Sequence, residues 1–320
     1  MKFQLEHIQH IFCVGIGGIG MSALARYWKH CGKNVMGYDL HETELTKKLI
    51  NESIPVFYVD EPSLIPASFF SNATLVVRTP AVPDDLKVLT IWEQHQIPVL
   101  RRSQMLSIIA AQHQVFAVSG THGKTTITTL LGHLLNQRPQ KVNAFMGGIA
   151  RNYESNLLLS EKSNDMVVEA DEYDRAFLKL NPGAAIVTSI DADHLDIYHT
   201  YENIVQAFNQ FAQQISTQGI LIYKKGIPLT LPNGLKCMSY HAENQEADIF
   251  AKNLKIKRGC YQFDLVTPTQ IFEGLEMGVP GWYNLENAVA ASAMAIYAGL
   301  NRQELMSGLA SFKGVERRFE

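Results

Sequence analysis

Val118-Ser-Gly-Thr-His-Gly-Lys-Thr-Thr126 sits between two runs of different periodicity, and that placement decides how the chain is read. Ahead of it, Gln114-Val-Phe-Ala-Val118 is apolar and β-favouring. Behind it, the stretch from Thr126 to Leu135 carries apolar residues at Ile127, Leu130, Leu131, Leu134 and Leu135, the spacing of a helix. A strand, a glycine-bearing turn and a helix in that order gather backbone N–H groups and a helix N-terminus around an anion. Gly120 and Gly123 let the backbone close on phosphate oxygens, Lys124 has the reach for β- and γ-phosphates, and the Thr125 hydroxyl can ligate Mg2+. Thr121, His122 and Thr126 complete the loop, and the His122 side chain must point at ligand or at a neighbouring loop. Two residues separate the glycines where a standard P-loop has four, so this is a shortened member of the type.

Working outward, the first hundred residues alternate strand-like and helix-like runs. His10-Ile-Phe-Cys-Val14 and Asn34-Val-Met-Gly-Tyr38 read as buried strands around a helix from Met21 to Cys31, and the alternation continues through Ala73–Val77 and Ile97–Leu100. Such βαβ repetition implies a parallel sheet with helices on both faces. Gly15-Ile-Gly17-Gly18-Ile-Gly20 bridges the first strand and helix, and Asp39 ends the second strand. These are the parts of a diphosphate site: glycines for close approach, a helix N-terminus for the pyrophosphate, an acid for a ribose hydroxyl. They leave the nucleotide open, because a UDP-sugar carries the same pyrophosphate and ribose as NAD.

The α/β rhythm resumes after a polar-flanked helix, giving an expected division into residues 1–105 and 106–320. Strands are expected at Asp165–Val168, Ala184–Thr188 and Gly219–Tyr223, with a helix from Tyr201 to Ile215. A hairpin is expected around Arg258-Gly259, then an Ala-rich helix from Asn287 to Leu300 and a short one from Arg302 to Phe312. The fold class is therefore α/β: a Rossmann-like parallel-sheet domain followed by a P-loop-type α/β domain.

Three further groups carry chemistry. Glu169-Ala-Asp-Glu172-Tyr-Asp174 follows a strand, where Glu169, first off the tip, suits Mg2+; a solvated acidic turn is the alternative. Asp191-Ala-Asp193-His194-Leu-Asp196 also ends a strand, where His194 can serve a second Mg2+ or a phosphate, or be structural. Asn284 and Asn287 open the Ala-rich helix, either as caps or as contacts to a nucleotide. Arg318 can neutralise a γ-phosphate or stand exposed at the chain end.

The composition fits this reading. Hydrophobic residues make up 46% and charged residues 18%, as in a globular protein, and the net charge of −3 argues against a general nucleic-acid surface. Cys13, Cys31, Cys237 and Cys260 are scattered without zinc spacing, which suits a reducing compartment. No segment has the ~20 apolar residues of a membrane span. Glu6, His7 and His10 ahead of the first apolar run make a poor signal peptide, so the expected location is the cytoplasm.

Five of these motifs together resemble the Mur ligase family, ATP-dependent amide-forming enzymes of peptidoglycan synthesis. They are Gly120-Thr-His-Gly-Lys-Thr-Thr126, Glu169-Ala-Asp-Glu172, Asp193-His-Leu-Asp196, Asn284-x-x-Asn287-Ala and Arg317-Arg-Phe319, in order along the chain. Within the family, Gly15-Ile-Gly-Gly-Ile-Gly-Met-Ser22 is similar to the branch that adds L-alanine to UDP-N-acetylmuramate, with the branch that adds a whole tripeptide as the alternative.

The resemblance implies a UDP-sugar domain holding its ligand at Gly15, Gly17, Gly18, Gly20 and Asp39. It also implies a central ATPase in which Lys124 and the loop hold ATP, Thr125 and Glu169 hold Mg2+, His194 serves a second metal and Arg318 approaches the γ-phosphate. A third domain of about 100–150 residues would follow, carrying most of the L-alanine site, so that these 320 residues would bind ligands without turnover. Tyr283 departs from the histidine common before the first Asn, and no carbamylated lysine is expected. A nicotinamide-dependent oxidoreductase is the rival from another class, and it leaves the Gly-Lys-Thr loop unexplained.

Overall fold

Strand β1 (His10–Val14) is buried along Ile11–Val14 and forms the middle of a five-stranded sheet. The computed structural model describes residues 5–316, so Arg317, Arg318 and Phe319 lie outside the described residues. After β1 come α1 (Ile19–His30), β2 (Asn34–Tyr38), α2 (Glu44–Asn51), β3 (Val56–Phe57), β4 (Thr74–Arg78), α3 (Lys87–Gln94), β5 (Val99–Arg101) and α4 (Arg102–Ala110). The strand order is β3-β2-β1-β4-β5 and every pairing is parallel. That order reverses direction at β1, and in open parallel sheets ligands bind outside the carboxyl ends of the strands at such a switch point. α1 buries Met21, Leu24, Ala25 and Trp28, the i, i+3, i+4, i+7 stripe of a helix packed on a sheet.

Residues 1–109 form one compact unit and 110–320 a second. The division expected at 105/106 falls inside α4.

The second unit contains β6 (Gln114–Ser119), α5 (Lys124–Leu135), β7 (Asn143–Ala150), β8 (Ser155–Leu158), β9 (Asp165–Glu169) and β10 (Ala184–Val187). It continues through α6 (Leu195–Tyr198), α7 (Tyr201–Gln213), β11 (Ile220–Lys224), β12 (Lys236–His241), β13 (Ile249–Lys257), β14 (Cys260–Val266) and β15 (Ile271–Glu276). Helices α8 (Trp282–Tyr297) and α9 (Arg302–Ser311) follow.

The ten strands make one sheet, ordered β15-β14-β13-β12-β11-β10-β6-β9-β7-β8. It is parallel from β13 to β7 and turns antiparallel at β14, β15 and β8. The expected hairpin is present: Arg258 and Gly259 take φ +52° and +82°, which a two-residue turn between twisted strands requires.

The helix expected after the phosphate loop is present as α5, and every residue from Thr125 to Leu135 is buried. Its threonines face inward too, and Thr129 Oγ1 satisfies itself on Thr125 O at 2.7 Å. The Ala-rich helix begins at Trp282, not Asn287, after Gly281 turns with φ +100°. Trp-Tyr-Asn has no apolar helical period, so the sequence showed the helix only from its alanines onward.

Candidate active site

The carboxyl ends of β6, β9 and β10 lie side by side, with Val118 opposite Glu169 and Ser119 opposite Val187. The loop that leaves β6 is shaped by its glycines. Gly120 has φ +128° and Gly123 φ +82°, conformations that strain any side chain. A Cβ on Gly120 would stand 2.1 Å from Thr188 Oγ1, and one on Gly123 would stand 2.8 Å from Asn287 Oδ1. The loop is thus pressed between the Thr188-Ser189 turn and helix α8.

Hydrogen bonds from that turn hold it. Thr121 N donates to Ser189 O at 3.0 Å, His122 N to Ser189 Oγ at 3.0 Å, and Asp191 N to Thr121 Oγ1 at 2.7 Å. Thr188 Oγ1 donates to His122 O.

Lys124 opens α5 and folds back over the loop. Its Nζ donates to Gly120 O at 2.7 Å, to Thr121 O at 3.5 Å and to Glu172 Oε1 at 2.7 Å. Glu172 is only 2% exposed. Burial pushes its carboxyl above the usual range, and the Lys124 ammonium opposes that rise. Thr125 Oγ1 lies 3.3 Å from Glu169 Oε1. The Glu169 carboxylate packs against Gly147 of β7, where a Cβ would stand 2.0 Å from Oε2.

His194 adopts φ +53° at the start of α6. Its Nε2 lies 4.0 Å from Glu172 Oε1 and its Nδ1 3.8 Å from Asp193 Oδ1, with the Tyr173 ring edge-on at 5.3 Å. His122 Nε2 stands 3.6 Å from Asp191 Oδ2, a pair exposed on both sides and therefore of little stabilising value.

These elements enclose a cleft of ≈ 370 Å³, within the range of small-molecule sites. The loop from Thr121 to Thr126 forms its floor together with Glu169, and Tyr283 and Asn287 of α8 stand on one wall. Lys224 at the end of β11 and Glu286 of α8 pair across it at 2.7 Å. Asn284 is not part of that lining: it is buried in the first turn of α8, with Nδ2 donating to Pro280 O at 2.6 Å. That hydrogen bond braces the helix start, while Asn284 Oδ1 has no hydrogen-bond partner among the described residues. Arg318 lies outside the described residues.

No group of three or more His, Cys, Asp or Glu side chains among the described residues is placed to hold a metal. Thr125 and Glu169 nonetheless give two oxygen donors at the phosphate loop, the donor type that Mg2+ prefers. Mg2+ is commonly held by one or two carboxylates plus substrate phosphates, so such a pair fits an ion that arrives with a nucleotide.

The first unit has its own glycine loop after β1. Gly15 turns with φ +80°, and Gly18 N closes the turn on Gly15 O at 3.2 Å. Asp39 does not extend away from the sheet: Oδ2 accepts from Gly17 N at 2.7 Å and Oδ1 from His41 N at 3.3 Å. A Cβ on Gly20 would meet the Arg102 guanidinium at 2.7 Å, so α4 lays an arginine along the first turn of α1.

Sequence reasoning had not singled out Arg102, Lys224, Glu286 or Gly147, and it quoted Glu172 in its motif without giving it a role of its own. Gly147-Gly148 inside a strand was the available signal, because paired glycines mid-strand mark the close approach of another group.

Comparisons with known proteins place both units in one family. Residues 10–114 match the model described as "Mur ligase family, catalytic domain", and residues 118–295 match "Mur ligase middle domain". The UDP-N-acetylmuramate–L-alanine ligase of Porphyromonas gingivalis strain W83 is 47% identical over 316 residues, spanning 98% of this chain and 69% of that protein. The ligase of the same name from Christiangramia forsetii is 45% identical, with 98% and 68% covered.

Among solved structures, the UDP-N-acetylmuramate-alanine ligase of Thermotoga maritima superposes with a TM-score of 0.85 at 27% identity, over 97% of this chain and 70% of that one. Relatives of this identity and coverage, together with models that match both units in sequence order, leave one assignment: the chain belongs to the Mur ligase family.

Proposed function

We propose that this protein is the ligase that joins L-alanine to the lactyl carboxylate of UDP-N-acetylmuramate at the expense of ATP. The observation that carries this is the 47% identity to a ligase of that name along 98% of the chain, with a lysine-bearing phosphate loop at the centre of the second unit. In this reading the first unit takes the UDP-sugar at Gly15–Gly20, where α1 begins without an acidic side chain in its first turn. The N-terminus of α1 is the feature suited to a pyrophosphate, since Gly17 N and Gly18 N are engaged with Asp39 Oδ2 and Gly15 O.

The second unit takes ATP in the cleft. The amides of the loop and Lys124 hold the phosphates, and Asn287 and Tyr283 flank the nucleotide on the α8 side. A lactyl carboxylate oxygen attacks the γ-phosphorus, the bond to the β–γ bridging oxygen breaks, and ADP leaves an acyl phosphate. The L-alanine amine then adds to the acyl carbon, gives up a proton, and inorganic phosphate departs. Such transfers depend on positioning and charge neutralisation more than on covalent protein chemistry.

Bound Mg2+ would supply charge neutralisation between carboxylate and triphosphate, with Thr125 and Glu169 as its protein ligands and His194 beside a second ion. Arg318, at the end of the chain, is assigned to the γ-phosphate by its motif alone. The reading places the protein in the cytoplasm, where its nucleotide substrates are.

Calorimetric titration with UDP-N-acetylmuramate, with NADH as the control, tests the proposal. Binding of the sugar nucleotide and not of NADH is expected. Binding of NADH alone would overturn it and return the Gly15–Gly20 loop to an oxidoreductase.

A further inference from the structure

Two short hydrogen bonds hold the ammonium of Lys124, to Gly120 O and to Glu172 Oε1 at 2.7 Å each, with Thr121 O a weak third acceptor at 3.5 Å. The group that should grip phosphate is therefore already engaged. A nucleotide that takes up the ammonium draws it away from these partners. Two are loop carbonyls, and the third is a charge. The pair is well shielded, with side-chain exposures of 13% for Lys124 and 3% for Glu172.

Once Lys124 turns to a phosphate, Glu172 is left as a buried carboxylate. Its other oxygen, Oε2, has no hydrogen-bond partner among the described residues. His194 Nε2, at 4.0 Å from Oε1, is beyond hydrogen-bonding reach. Separating a buried ion pair so that one charge is uncompensated is costly.

Resting on the nucleotide reading of the cleft, we propose that Glu172 is a positioning residue that withholds Lys124 in the empty site and so sets the loop's affinity for nucleotide. The phosphate loop is then self-occupied when empty, with the Glu172 carboxylate in the electrostatic role that a phosphate takes over. A merely structural Glu172 would hold the loop in shape, and its loss would weaken every ligand. A withholding Glu172 does the opposite for phosphate-bearing ligands alone.

The test is calorimetric titration with ADP, and separately with adenosine, in the presence of a chelator so that no divalent ion takes part. Wild type, Glu172→Gln and Glu172→Asp are compared. Glu172→Gln should bind ADP about tenfold more tightly, because the opposing charge is gone. Glu172→Asp, which keeps the charge, should return toward wild type, and adenosine affinity should be equal in all three. ADP binding to Glu172→Gln that is unchanged or weaker than wild type overturns the proposal while leaving the nucleotide reading intact.

Absence of ADP binding in every form, with Mg2+ supplied as well as with the chelator, overturns both. Should Glu172→Gln not fold, the lysine-ammonium NMR signal of the wild type decides. Lys124 protons protected before ADP and shifted by it support the withholding pair, and an ammonium signal indifferent to ADP refutes it.

Discussion

Glu169 Oε2 lies 2.0 Å from the point where a β-carbon on Gly147 would stand, so the carboxylate at the tip of β9 rests directly on the backbone of β7. The obstacle to a larger residue at 147 is the far end of a flexible side chain. Gly147 is also not among the residues of positive φ. Gly147→Ala should therefore alter folding stability by no more than about 1 kcal/mol. It should push the carboxylate off its seat near Thr125 and weaken Mg2+-dependent ATP binding about tenfold, as loss of support around a metal ligand does. A variant with wild-type ATP affinity in Mg2+ would show that Glu169 does not work from this position.

The Lys124–Glu172 pair makes a stability prediction of its own. Lys124→Met keeps the stem and removes the charge, stranding Glu172 in its buried place. The cost should be about 3 kcal/mol by chemical denaturation. Adding Glu172→Gln removes the stranded charge and should recover most of that loss. Additive losses in the double variant would mean that the two charges do not compensate each other.

Asp39 was read from sequence as a ligand for a ribose hydroxyl, and its oxygens are engaged with Gly17 N and His41 N. Hydrogen bonds from amides to a charged acceptor contribute about 1.5–3 kcal/mol. Asp39→Ala should therefore loosen the Gly15–Gly20 turn, lowering stability by about 1–2 kcal/mol in the same denaturation assay. It should weaken UDP-N-acetylmuramate binding as well, with Asp39→Asn between. Weakened binding at unchanged stability would return Asp39 to direct contact with ligand.

Much of this could be read from the sequence, and the exceptions share a cause. Strands β1, β2, β6 and β9 and the two glycine loops announce themselves through short-range patterns: apolar runs, glycine spacing and a lysine at a helix start. What sequence could not show are pairings across the sheet. Glu172 stood in the quoted acidic run, but only the fold brings it 2.7 Å from Lys124, 48 residues away. Lys224 and Glu286 meet across 62 residues with no local signature at either end. The β7–β8 hairpin escaped because its strand reads Asn-Ala-Phe-Met-Gly-Gly-Ile-Ala, where the two glycines that seat Glu169 and Val315 also erase the strand signal.

His133 supplies a pH-dependent prediction away from the cleft. It lies in α5, 4% exposed, with Nδ1 2.7 Å from Tyr153 OH and Nε2 3.0 Å from Ser311 Oγ. Burial lowers its pKa to about 4. The unfolded chain, with an imidazole pKa near ~6.5, takes up a proton on acidification well before the native state does. Its contribution is therefore fully present above about pH 6.5 and is lost as the pH falls toward 4, to a limit of about 3 kcal/mol. His133→Gln cannot titrate and keeps polar atoms near both partners. Urea unfolding at pH 7 and pH 5 should show a smaller acid-induced loss in the variant than in the wild type, although carboxylates contribute to the fall in both. Parallel losses would mean that His133 is already protonated in the folded protein. Tyr153 and Ser311 would then both have to accept from an imidazolium, and the site would have to hold a charge that its burial opposes.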